Sequence, residues 1–346
     1  MGLFRRAART PDPAAGIEAF WRWWAAEGAA LTAGSIADGD PERMVAQLSE
    51  RVHAVHPGLA WELGAGSTSR HLLVVSPEGD ASVRPVARRW LRAAPAPDQT
   101  WEYADLRQPA LDVTSIVLGI GDRKLAFRDL RVSARRTGHR FDVVLHHPAY
   151  PDLPEEARNQ VAFLALDATL GEADTELWVG RVTTSTAPPL DAFGIDGLRV
   201  VVRDLKAELL DGEGGPRWAL LTAETDTGPL LAMTQIPLSP LLSPDLDRHV
   251  AVRVPYAGRT PEGLPEPESL DALRRFEDHL LERLGGSGSL VAHESHQGSR
   301  TLHFYVDSTT PAAAQLTAAV AGWPDGKVAV EATDDPGWVK VAHLRS

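Results

Sequence analysis

The sequence predicts an α+β protein of two domains, each a mainly antiparallel sheet with helices on one face, the C-terminal one ferredoxin-like. Three observations predict it. Apolar residues recur with a helical period in some segments and a period of two in others. At 346 residues the chain is longer than one hydrophobic core usually organises. A glycine-rich break, Asp211-Gly212-Glu213-Gly214-Gly215-Pro216, divides it. The expected layout is a tail over residues 1–12, an N-terminal domain over 13–210 and a C-terminal domain over 217–346.

Ile17, Phe20, Trp21, Trp24 and Ala25 form the apolar face of a first helix. A second starts at Asp40-Pro41-Glu42 and runs to the stop at His56-Pro57-Gly58. The period then shortens. Strands at 59–63 and 71–75 flank a turn-rich segment, a helix through Val83, Val86, Ala87, Trp90 and Leu91 follows, and a strand begins at Trp101. Strands near 125–133 and 141–146 are joined at Thr137-Gly138. A helix over 154–170 is expected to end on a left-handed Gly171, with a strand over 176–182 and a helix over 198–210 after it.

Beyond the break, strands are predicted at 218–225, 230–235 and 249–254. A helix carries Leu270, Leu273, Leu280, Leu281 and Leu284 and stops at Gly285-Gly286. A hairpin over 290–294 and 301–306 turns at Gln297-Gly298, and an alanine-rich helix from Pro311 precedes strands near Val328 and Val339.

Composition excludes several classes of function. With no cysteine, the chain has no disulfide scaffold, thiolate zinc site or thiol nucleophile, and it suits the reducing cytoplasm. A net charge of -12 argues against a general nucleic-acid surface. The basic start lacks the apolar run of a signal peptide, and no segment is long and apolar enough to cross a bilayer, so neither secretion nor membrane insertion is expected. There is no P-loop, G-x-G-x-x-G, nucleophile elbow or H-E-x-x-H. Glu50, His53 and His56 share a helix face, but a solvated helix end explains them better than a metal site; no cofactor or metal is expected.

Two sets of residues are candidates for function. Glu62, His71, Asp167 and Glu172 are the groups that a hydrolase-like enzyme would use if they converged in an interdomain cleft. The C-terminal hairpin offers the other. With a two-residue turn at Gln297-Gly298, Leu290, Glu294, His296, His303 and Tyr305 share one face and Val291, His293, Leu302 and Phe304 the other. The first face carries the candidate binding residues Glu294, His296, His303 and Tyr305 if it is exposed to a protein partner; the alternative is burial at a domain interface. Partner identity and oligomeric state are not legible.

Four motifs in order, Gly263-Leu264-Pro265, Phe276-Glu277-Asp278-His279-Leu280, Arg300-Thr301-Leu302-His303-Phe304-Tyr305 and Asp335-Pro336-Gly337-Trp338, resemble the domain of unknown function 695 family. The N-terminal half is similar to the region beside that domain in longer bacterial members, through Phe20-Trp21-Arg22-Trp23, Ala94-Pro95 with Trp101, and Leu166-Asp167 with Leu170-Gly171-Glu172. The family supplies no catalytic residues. Its occasional neighbour, a domain resembling the bacterial regulator of ribonuclease activity B, is an acidic protein inhibitor, so the resemblance implies protein binding rather than catalysis.

Overall fold

The structure is a computed structural model that describes residues 12–40 and 42–345, with only the backbone at Arg43. The expected tail therefore lies outside the described residues, except for Asp12, whose carboxylate accepts from the N–H of Ala14 at 3.1 Å and caps the first helix. The chain divides into two compact units, residues 1–111 and 112–346. The glycine-rich break at 211–216 lies inside the second, where a bridge pairs Leu210 with Pro216.

The first unit contains α1 (Pro13–Trp23), α2 (Ala29–Asp38), α3 (Glu42–Val55), β1 (Ala60–Ala65), β2 (His71–Ser76), α4 (Arg84–Arg92) and β3 (Trp101–Ala104). A wide helical turn over Trp24–Gly28 joins α1 to α2 without a break, so the single first helix of the sequence reading is longer than its apolar stripe suggests. Strand β1 pairs antiparallel with β2, and β2 pairs parallel with β3 through the α4 crossover. Aromatic side chains hold the helices on the sheet. Phe20, Trp21, Trp24, Trp90 and Trp101 are buried together, with the Trp21 indole N–H donating to the Trp90 carbonyl at 2.9 Å and that of Trp24 to the Tyr103 hydroxyl at 2.9 Å. Both N–H groups thereby keep a partner where water is excluded.

The second unit opens with a hairpin, β4 (Val117–Ile120) and β5 (Arg123–Ala126), followed by β6 (Arg131–Thr137), β7 (Arg140–His146), α5 (Glu155–Leu170), α6 (Glu172–Trp178), β8 (Val179–Ser185), β9 (Phe193–Gly194) and α7 (Leu198–Leu209). The four-stranded sheet has the order β8-β7-β6-β9. The helix ends at Leu170 with Gly171 after it, as expected, but residues 172–178 are helical rather than the start of a strand, because Gly171 also opens a second helix. Its φ of 81° and ψ of 164° are glycine-favouring but extended, not the left-handed cap expected.

The rest of the unit comprises β10 (Arg217–Thr225), β11 (Gly228–Ile236), β12 (Arg248–Pro255), α8 (Pro267–Leu284), β13 (Gly288–His296), β14 (Ser299–Val306), α9 (Ala312–Ala319) and β15 (Ala329–Asp334). The antiparallel sheet has the order β10-β11-β13-β14-β12-β15. Strands β12, β13, β14 and β15 with α8 and α9 make the β-α-β-β-α-β succession and strand order of a ferredoxin-like fold, and the β10–β11 hairpin extends it beside β13. The chain ends in a short 3₁₀ helix over Val339–Leu344, where alternating apolar residues suggested a strand. Asp335 dictates that ending: its carboxylate accepts from the N–H groups of Val339 and Lys340, both at 2.9 Å.

Candidate functional site

The two faces of the C-terminal sheet have different coverings. Val250, Val252, Val254, Leu290, Leu302, Phe304 and Val306 pack under Leu273, Leu280 and Leu284 of α8 and Leu316 of α9. On the other face Ala232, Val291 and Tyr305 are covered by Leu238, Leu246, Trp338, Val341 and Leu344. The hairpin register matches Glu294 to Thr301 and Ala292 to His303 as the two-residue turn requires, but a bulge at Val291 shifts it, so Leu290 opposes Phe304. Leu290 and Val291 therefore exchange faces relative to expectation.

Glu294, His303 and Tyr305 do share a face, and that face is closed rather than open. Tyr305 is 0% exposed and His303 5%, because the C-terminal segment lies over them. Trp338 stacks on Tyr305 with centroids 4.3 Å apart, and the Tyr305 hydroxyl donates to Asp335 at 2.6 Å. Beside this pair, His303 Nε2 meets Glu294 Oε1 at 2.8 Å, His343 Nε2 reaches the same oxygen at 3.2 Å, and His303 Nδ1 meets His249 Nε2 at 3.0 Å. Burial pushes the Glu294 carboxyl up, yet the hydrogen bond and charge of His303, with His343 behind it, leave it below its ordinary value. Burial, reinforced by His303, pushes His249 down to about 4. Burial and then Asp335 raise the Tyr305 hydroxyl. These contacts tie the closing segment to the sheet, with two histidines on Glu294 Oε1.

His296 stands apart, at the turn end. Its Nε2 meets the Thr227 hydroxyl at 2.9 Å and its Nδ1 the Pro229 carbonyl at 3.0 Å, fastening the β10–β11 turn to the β13–β14 turn. A groove of about 820 Å³ opens there, lined by Arg259, Glu262, Gly263, Glu266 and Gln297 among others.

The four candidate acid–base residues are divided between the units. Glu62 opposes Val74 and His71 opposes Ala65, so the two alternate to opposite faces of their sheet. Glu62 pairs with Arg107 at 3.2 Å, and His71 lies against Trp101 at 5.1 Å. Strand parity therefore keeps Glu62 and His71 from converging on one face. Asp167 is half-buried in the last turn of α5, and Glu172 is buried at the first position of α6.

Strand β10 is one of the two open edges of this sheet. It pairs with β11 on one side, and its other edge has no strand partner among the described residues. Trp218 is 43% exposed and Leu220 61%, and both fall on the face continuous with His293 and Leu302, beyond the cover of α8.

Residues 217–340 match the model of DUF695, a family of unknown function. No curated protein and no solved structure matches the chain. The motifs that carry the DUF695 likeness come together in the fold. Arg300 Nη1 donates to Glu277 Oε1 at 2.7 Å and Arg300 Nε to Ser295 at 2.9 Å, the guanidinium and carboxylate side chains being 5% and 12% exposed. Gly263, with φ of 83°, sits so close to the hairpin turn that a Cβ would lie 3.0 Å from the Gln297 Cα, and its carbonyl accepts the Gly298 N–H at 2.8 Å. His249, His293, Glu277, Arg300 and Asp335 are site residues that sequence reasoning did not single out; only Glu277, Arg300 and Asp335 carried a signal, as members of the DUF695 motifs. Burial, with Arg300 beside it, pushes His293 down to about 3. Among the described residues no group of His, Cys, Asp and Glu is arranged to hold a metal ion, and no helix is long and apolar enough to cross a membrane.

Proposed function

We propose that this protein is a non-catalytic, cytoplasmic protein-binding module, and that its DUF695 domain binds an extended protein segment along β10. One observation carries the reading: a nine-residue strand at the end of a large sheet offers a free edge while displaying Trp218 and Leu220 to solvent. Unpaired backbone N–H and C=O groups along such an edge supply affinity for an added strand, and exposed side chains beside it supply selection. Of the candidate acid–base residues, Glu62 and His71 lie on opposite faces of their sheet, and the candidate binding residue Glu294 holds two histidines. The net charge of -12 favours a basic or neutral segment over nucleic acid.

The test compares proteins retained from a cytoplasmic extract by the wild-type chain and by Leu220→Lys/Thr222→Lys. Both positions are exposed, so the fold should persist while lysines on the edge oppose strand addition. A partner bound by the wild type and lost by the variant is the expected result. A partner retained equally by both rules out the β10 edge.

A further inference from the structure

We infer that β10 pairs with β10 of a second copy of this chain, in antiparallel register about a two-fold axis through Leu221. This rests on the reading of β10 as a binding edge and names its occupant. The strand Arg217-Trp218-Ala219-Leu220-Leu221-Thr222-Ala223-Glu224-Thr225 has an alanine two residues to either side of its central Leu221. With Leu221 on the axis, Ala219 faces Ala223, Leu220 faces Thr222, and Trp218 faces Glu224 across the junction. A two-fold perpendicular to the sheet keeps like faces together, so Trp218 and Leu220 from both copies join one apolar surface with Leu231 and Met233 of β11, which share that face.

Charge favours the same arrangement. Arg217 stands at the start of the strand and Glu224 and Asp226 at its end, and none of the three is in an ion pair among the described residues. Antiparallel pairing brings the basic end of each copy against the acidic end of the other, twice by symmetry. The opposite edge of the sheet lacks this property. The charges of β15 are Glu331 and Asp334, the latter already paired with Arg248 at 2.8 Å, so two copies of β15 would set acid against acid. Self-association therefore selects β10.

The absence of cysteine makes the register directly readable. In Leu221→Cys the two sulfurs meet on the axis, where facing Cα atoms of an antiparallel pair are about 4.5–5.5 Å apart and within disulfide reach. Mild oxidation should give a covalent dimer from Leu221→Cys and none from Thr225→Cys, whose copies lie at opposite ends of the junction. Sedimentation from micromolar to millimolar concentration should show a wild-type dimer and at least about tenfold weaker association for Leu220→Lys/Thr222→Lys, where lysines face each other across the junction. Arg217→Glu and Asp226→Arg should each be weakened alone and should form a heterodimer when mixed, since the mixture restores both opposite-charge contacts. A wild type that stays monomeric throughout, or equal cross-linking at 221 and 225, overturns the inference. If the monomer nevertheless captures a partner that the lysine variant loses, the β10 edge reading survives without self-pairing; if the lysine variant loses nothing, both fall.

Discussion

Glu277 and Arg300 offer a test in which the sign of the double variant matters more than the size of the single one. The pair is nearly enclosed, with Nη1 and Oε1 2.7 Å apart and Ser295 accepting from Nε at 2.9 Å. Burial raises the Glu277 carboxyl above its ordinary value and Arg300 offsets only part of that rise, so desolvation has consumed much of the attraction. Glu277→Leu strands a buried guanidinium and should cost about 3–5 kcal/mol. Glu277→Leu/Arg300→Met removes both charges and leaves chiefly the Ser295 hydroxyl without its donor, a loss of about 1–2 kcal/mol. The double variant should therefore be about 2–3 kcal/mol more stable than Glu277→Leu alone, a strongly non-additive outcome. Calorimetry of the full chain should show the transition of the second unit falling by roughly 10 °C in the single variant and recovering most of that in the double. A double variant as unstable as the sum of its singles would refute the account of a desolvated pair.

Three further outcomes follow from the geometry. The Glu102 carboxylate takes hydrogen bonds from the Ser67, Thr68 and Ser69 backbone and the Thr68 hydroxyl, the Thr68 hydroxyl contributing most, and is held down at about 2. Its stabilisation is present above the unfolded value near 4.3 and lost as pH falls towards about 2. Solvent screening limits it to about 1 kcal/mol, and Glu102→Gln should flatten acid titration of stability in that window. Gly171→Val forces a β-branched residue to φ of 81°, and should lower stability by about 1–3 kcal/mol, read as a shift in urea midpoint. Replacing Glu294, His303 and Tyr305 together by alanine should abolish cooperative unfolding of the second unit; a variant that melts like the wild type would mean the closing segment contributes nothing.

Periodicity made most of the C-terminal fold legible. The leucines of α8, the Gln297-Gly298 turn and the alanine-rich α9 all lie where their spacing put them, and the ferredoxin-like order follows. The candidate site was legible only in part, because parity propagates and one bulged residue resets it. Nothing in Leu290-Val291-Ala292 announces that Val291 is the extra residue, yet that residue decides which side each neighbour packs on. The closing segment was illegible for a different reason. Val339, Val341 and His343 alternate like a strand, and only Asp335, together with Trp338 at φ of 53°, turns the backbone into a 3₁₀ helix. A long-range stacking of Trp338 on Tyr305 then converts an apparent surface into core.

The positions of the DUF695 motifs also bear on where function should be sought. Glu277 and Arg300 neutralise each other inside the domain, Gly263 exists to let one turn approach another, and Asp335 and Trp338 close the far face. Each of these contacts is made within the chain, so these motif residues shape the interior of the domain. What the domain leaves unpaired is at its margin. The β10–β11 hairpin extends the ferredoxin-like core and shares its second buried face through Ala232, Leu221 and Leu230, while its outer strand exposes Trp218 and Leu220 at an open edge, an apolar surface that costs solubility. An added strand, from a second copy or another protein, removes that cost, which is why β10 and not the histidine-rich interior is where binding is expected.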